Sequence, residues 1–273
     1  MPEFDLIIAG GEVVDPDAGL SGRLDVAILD GKIAAIEPSI SSGRAGKVIE
    51  AGGRLVTPGL VDLHAHVLHG VADLAVPPDE VGVRSGVTTV IDAGSAGAAI
   101  FRAFPDWIIP AARTRIVPFM HIAQTGLATS PDISGPSDVS VELTREMLRQ
   151  HAGLVAGIKV RLVSPAIEVL GLDMLRIAKQ LAAEAGIPVM VHIGDILQRG
   201  DPGLGREALA LLGAGDIVTH VFTPNPGGIL DSAGVVFPSS SRLSSAGCCS
   251  TPHTAGPISA STWRAGRWVR GFR

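Results

Sequence analysis

"LVDLHAHVLHG", residues 60–70, starts as an apolar strand and then carries His64, His66 and His69 within six residues. A segment needed only for burial would hold Val, Ile or Leu there. Alternate residues of a strand share a face, so Asp62, His64 and His66 point the same way. Two imidazoles spaced like this can reach one metal ion, but hydrogen bonds alone could also satisfy them. The surrounding chain has to decide.

Upstream, "FDLIIAGGEVV" (4–14), "LDVAILDGKIAAI" (24–36) and "KVIEAGGRLVTPG" (47–59) read as strands. Asp30-Gly31 between alternating apolar residues is a hairpin turn signal. These residues predict a small all-β domain over 1–57, and the Gly and Pro of "TPGLVD" punctuate its end. Downstream, short β-branched runs alternate with helical stretches. Strands are expected at 60–66, 87–92, 115–121, 154–160, 187–192 and 216–221. "MLRIAKQLAAEAG" (174–186) has helical spacing and ends on Gly186. Strands alternating with helices imply a parallel sheet, here an α/β (β/α)8 TIM-type barrel represented by about six units over 58–237.

Barrel active sites form where the strands end. His192 ends "VMVH", His220 ends "IVTH" and Lys159 ends "LVAGIK". An ammonium on so apolar a strand is costly to bury unpaired. With His64 and His66, five nitrogen-bearing side chains thus fall at the ends of four expected strands, which favours the metal over the hydrogen-bonded reading. Lysine as ammonium is a poor ligand. Its neutral amine can take up carbon dioxide as a carbamate, whose two oxygens can bridge two cations. Imidazole with hard oxygen ligands suits Zn²⁺ best, and a metal-acidified water is a ready nucleophile. His69 falls in the loop past the strand, His121 ends the third barrel strand and could face the site, and His151 sits in a polar helical stretch and is expected to be solvated.

The 273 residues hold no run near the ~18 apolar residues of a membrane span. The start shows no signal-peptide pattern, and the two cysteines, Cys248 and Cys249, are adjacent. A reduced, cytoplasmic chain is expected, with no membrane partner. Residues 1–231 hold all 27 acidic residues and 17 of the 22 basic ones, a net −10, which argues against nucleic acid as a partner. No phosphate loop, dinucleotide fingerprint or nucleophile elbow is found.

"VTPGLVDLHAH", "RSGVTTVIDAGSAGA", "GIKVR", "VMVHIG" and "GDIVTHVF" together resemble the amidohydrolase superfamily, in particular its dihydroorotase-like deacetylase branch. The resemblance covers residues 4 to about 237. It implies a binuclear centre in a (β/α)8 barrel beside a small β-sandwich built from both chain ends. By motif, His64 and His66 match the ligands of one metal, Lys159 the carboxylated bridge, and His192 and His220 the ligands of the second. The implied reaction is hydrolysis of an amide or related acyl bond of a small molecule by a hydroxide bridging the metals. Cyclic-amide hydrolysis, as in dihydroorotase or hydantoinase relatives, is the enzymatic alternative, and a non-catalytic fragment of the fold is the other.

The family's general-base aspartate, at the end of strand eight, has no counterpart here, because no residue after Asp231 is acidic. Residues 232–273 carry five arginines, a net +5, and show no strand or helix period. Back-translated with GC-rich codons and read one nucleotide earlier, the segment from Gly247 can give "VLLDTAHG", similar to the family's seventh strand and following turn. Residues 238–273 are therefore expected to be a non-family tail, frameshifted or disordered, in which His253, Cys248 and Cys249 have no function. A barrel lacking two strands leaves open edges, and such a chain is expected to be poorly soluble or to form a homo-oligomer.

Overall fold

Period-two patterning governs the first 60 residues. In a computed structural model that describes residues 2–201, 203–230, 234–236 and 249–251, these residues form β1 (Phe4–Asp15), β2 (Leu20–Leu29), β3 (Lys32–Glu37), β4 (Ala45–Glu50) and β5 (Leu55–Val56). They make one sheet of order β3-β2-β1-β4, with β5 beside β1. The β1–β2 and β2–β3 pairings are antiparallel, whereas β4 and β5 run parallel to β1. The hairpin turn falls where expected: Asp30 and Gly31 have φ of 52° and 71°, the pair of positive values a type I′ turn requires. Phe4, Ile7, Ala27 and Ile40 form the core of this unit. Its buried Asp25 accepts hydrogen bonds from the Gly10 and Ile40 amides.

From residue 61 a second unit begins. It follows β6 (Leu60–Ala65) with α1 (Pro78–Val81), β7 (Val87–Asp92), α2 (Ile109–Ala111), β8 (Arg115–His121), α3 (Val141–Gln150) and β9 (Gly157–Arg161). Then come α4 (Ala166–Leu170), α5 (Asp173–Ala185), β10 (Val189–His192), α6 (Leu204–Leu211), β11 (Ile217–Thr219) and β12 (Cys249–Thr251). The sheet order is β12-β11-β10-β9-β8-β7-β6, and the pairings from β7 to β12 are parallel. Strands such as "GIKVR" and "VMVH" are buried along nearly their whole length, with helices covering one face of the sheet. One of these is α5, whose Met174, Leu175, Ala178, Leu181 and Ala182 are all buried at helical spacing. All six expected strands are present, with β9 shifted toward Arg161 and β11 shortened to three residues.

One expectation is corrected. The sequence shows no strand beyond residue 221, yet Cys249–Thr251 pairs in parallel with β11, Ile217 opposite Cys249 and Thr219 opposite Thr251. The edge of β11 exposes unpaired backbone groups, and a short segment of almost any sequence can satisfy them. The sheet therefore has seven strands. The rest of the 238–273 expectation, with Cys248 and His253, lies outside the described residues. Among the described residues no helix is long and apolar enough to cross a membrane.

Candidate metal centre

His64 lies in β6 and His66 just past its end, His192 is the last residue of β10, and His220 directly follows β11. The His64 ring lies 5.4 Å from that of His66 and 5.0 Å from that of His220, and the His192 and His220 rings are 4.1 Å apart. β6 and β11 stand five strand steps apart in the sheet order. In a flat sheet that is roughly 24 Å, at about 4.8 Å per step. The His64–His220 contact thus means that the sheet curls until its first and sixth strands face each other. His220 itself has φ of 65°, a backbone strain that the adjacent strand and its ring contacts hold in place.

Lys159 sits mid-strand in β9, opposite His121 on one side and Met190 on the other. It is 1% exposed, and its Nζ has no hydrogen-bond partner. Burial, reinforced by the Arg161 charge and opposed by that of Asp92, lowers its pKa to about 7. A large share of the amine is therefore neutral near pH 7, the form that can take up carbon dioxide. The chain makes room for this side chain with Gly94, at φ +81°, where any Cβ would overlap Lys159 Cβ and Cγ.

Desolvation, with Lys159 and Arg161 nearby, lowers the His66 pKa to about 3. Desolvation, His220 and Lys159 hold His192 well below its ordinary value. Both imidazoles are thus neutral donors at neutral pH. Among the described residues, no three His, Cys, Asp or Glu side chains converge on a point that could by itself hold a metal. The donor set nevertheless fits one. Two imidazoles kept neutral by burial, His66 and His192, are electrostatic neighbours of an orphaned buried amine, and no carboxylate is hydrogen-bonded to that amine. An anionic carbamate with divalent cations would supply the missing charge balance.

The remaining histidines behave differently. His121 is fully buried, its Nδ1 accepts from the Ala123 amide, and its Nε2 faces Asp132 Oδ2 at 3.3 Å. Nδ1 is taken by the Ala123 amide, and Nε2 is turned to the Asp132 carboxylate without a well-formed hydrogen bond, so the ring is not placed as a ligand. His69 is exposed. His151 departs from the expectation of solvation: its ring packs 5.3 Å from that of Phe101 and its Nε2 is buried, because α3 ends against the core. Asp62 turns back on its own strand and accepts from the His64 amide.

Four polar residues went unnoticed in the sequence. Asp92 ends β7 and binds Ser95, which touches His66. Asp132 binds Arg161, two residues beyond Lys159 and so on the same face of β9. An acid closing an apolar strand and an arginine at that spacing were the available signals. Farther out, Asp195 accepts from Ser164 N and Oγ and from the amides of Leu197, Arg199 and Gly200, tying the loop after β9 to the one after β10.

The sequence profile of the Amidohydrolase family matches residues 55–240. The chain is 35% identical over 201 residues to a deacetylase of Agrobacterium fabrum, covering 72% of this chain and 48% of that protein. It is 34% identical over 232 residues to a deacetylase of Enterococcus faecalis, covering 85% and 60%. A dihydroorotase of Anaeromyxobacter dehalogenans is 31% identical over 193 residues, covering 70% and 42%. Among solved structures, an adenine deaminase superposes with a TM-score of 0.77 at 32% identity, covering 90% of this chain and 65% of that one. The chain thus spans about half the length of the curated relatives it matches. It belongs to the amidohydrolase family.

Proposed function

We propose that this chain carries the metal-binding part of a metal-dependent amidohydrolase, a deacetylase that cleaves an amide or related acyl bond of a small molecule. The observation that carries the reading is the partnerless Lys159 amine, buried beside neutral imidazoles. His64 and His66 would hold one divalent cation, His192 and His220 a second, and Lys159 as its carbamate would bridge them, Zn²⁺ being the best match to these donors. When bound, such cations polarise a carbonyl and acidify a water at neutral pH.

The chain's own contribution is positional. The curled sheet sets the four imidazoles in a chain of ring contacts, and the apolar strands exclude water from Lys159 so that a large share of its amine is uncharged near pH 7. The Asp195 clamp orders the loops that follow Lys159 and His192. A deacetylase is preferred to a cyclic-amide hydrolase because the deacetylase relatives are the more similar, at 34–35% identity against 30–31% for the dihydroorotases. No acidic residue follows Asp231 to act as the family's general base, so turnover by the 273-residue chain should be low. The shortfall should be about 10²–10⁴-fold, the usual worth of such a group.

The test is to supply the purified chain with zinc and ¹³C-bicarbonate. Zinc uptake with a carbamate carbon signal that Lys159→Ala abolishes supports the reading, and absence of both refutes it. Rates on N-acetylated acids and on dihydroorotate then separate the two hydrolase types. Sequencing the coding DNA across codons 230–273 tests the tail: a one-base correction opening a frame through "DTAHG" to a later aspartate would make the longer product the functional enzyme.

A further inference from the structure

His66 and His121 both lie near Lys159, yet their hydrogen bonds differ in sense. His66 Nδ1 is 3.0 Å from Ser95 Oγ. That hydroxyl has one proton, and it is directed 2.7 Å to Asp92 Oδ2, which also accepts the Val67 amide at 2.7 Å. Asp92 Oδ1 accepts the Ser95 amide at 2.6 Å. Burial raises the Asp92 pKa to about 6 against the pull of these donors, so at pH 7 and above it is mainly the carboxylate and accepts, which leaves Ser95 only lone pairs for the imidazole. His66 must then donate from Nδ1, which leaves the Nε2 lone pair free. At His121 the sense reverses: Nδ1 accepts the Ala123 amide, so the ring proton sits on Nε2, toward Asp132.

We infer that Asp92 and Ser95 are positioning residues that fix His66 as the Nδ1–H tautomer and so leave Nε2 as its ligating nitrogen, while the Ala123 amide fixes His121 in the opposite, non-ligating form. Neither Asp92 nor Ser95 touches the centre. They act through the orientation and proton position of His66, as outer partners do at metal sites generally. The inference rests on reading His66 as a metal ligand, but the tautomer can be measured without any metal.

The experiment uses the full, metal-free chain with ¹⁵N-labelled histidine. Ring nitrogen shifts and their couplings to ring carbon protons identify each tautomer, and loss of signals in His66→Gln and His121→Gln assigns the two rings. The expected result is Nδ1–H at His66 and Nε2–H at His121. Nε2–H at His66 in the wild-type chain would overturn the inference. In Ser95→Ala the single His66 tautomer should be lost and zinc affinity, read by chelator competition, should fall about 10–100-fold. Ser95→Thr, which keeps the hydroxyl, should restore both. An unchanged tautomer and unchanged zinc affinity in a folded Ser95→Ala chain would also overturn it. A wild-type chain that takes up no zinc yet shows Nδ1–H at His66 would refute the metal reading and uphold the tautomer assignment.

Discussion

The ends of β7 and β8 and the ends of β9 and β10 lie side by side in one sheet but have opposite polar economies. At β7, Asp92 collects hydrogen bonds from Ser95 and Val67. At β8, His121, Asp132 and Arg161 face one another. At β9, by contrast, the Lys159 amine is buried with no partner, and His192 at the end of β10 is held neutral by burial and neighbouring positive groups. A fold selected only for stability has no reason to keep such an amine, since an unsatisfied buried donor costs about 1–3 kcal/mol. His121 Nε2 and Asp132 Oδ2 also lack a well-formed hydrogen bond, but they face each other at 3.3 Å, whereas the Lys159 amine has neither a hydrogen bond nor an ion pair among the described residues, and that is where a ligand belongs.

The strongest way to break this contrast is Lys159→Met. It should reduce zinc uptake to background while making the metal-free chain more stable by about 1–3 kcal/mol, because a frustrated amine gives way to an apolar side chain of similar length. Metal analysis and thermal melts of the same samples check both. A loss of stability would mean that Lys159 is satisfied after all. On the scaffold side, Asp132→Ala should be destabilising by about 3–5 kcal/mol, since it strands Arg161 and His121 without their carboxylate. Denaturant titration reads this, and a neutral outcome would erase the distinction between the halves.

Acidity sharpens the comparison further. The Lys159 pKa drops from its ordinary value of 10.5 to about 7 on folding, so the unfolded chain binds the extra proton between those two limits. The metal-free chain should therefore gain stability as pH rises from 7 toward 10, by up to about 1.4 kcal/mol per pH unit from this group. Lys159→Met should flatten that part of the profile. Gly94→Ala should act on the same side chain with the opposite sign to Lys159→Met. The added methyl meets Lys159 at a backbone angle unfavourable to alanine, which should cost about 1–3 kcal/mol by melting and shift the lysine rather than the scaffold.

The sequence revealed the site more readily on the unsatisfied side. His64, His66, Lys159, His192 and His220 are out of character in apolar strands; the four histidines fall at or near strand ends as their local patterns suggested, whereas Lys159 lies at the middle of β9 because that strand runs on to Arg161. Ser95, Asp92, Asp132 and Arg161 were illegible because their meaning lies in bonds to residues 25 or more positions away or in a turn whose geometry no pattern announces. His151 misled for the same reason: its helix looks polar, but the helix end meets Phe101 across the fold. The hairpin at Asp30-Gly31 needed no distant partner and was legible outright.

The contact between the His64 and His220 rings also bears on the order of folding. The two residues lie more than 150 positions apart, and the strands and helices of the intervening units stand between them. Each neighbouring strand pair can form from nearby chain, whereas this contact becomes available only once the whole succession has curled. The His64–His220 contact that closes the cluster is therefore expected to form late in folding. A cation captured there would act as a latch on the finished curvature, selecting chains that have completed it and slowing their reopening.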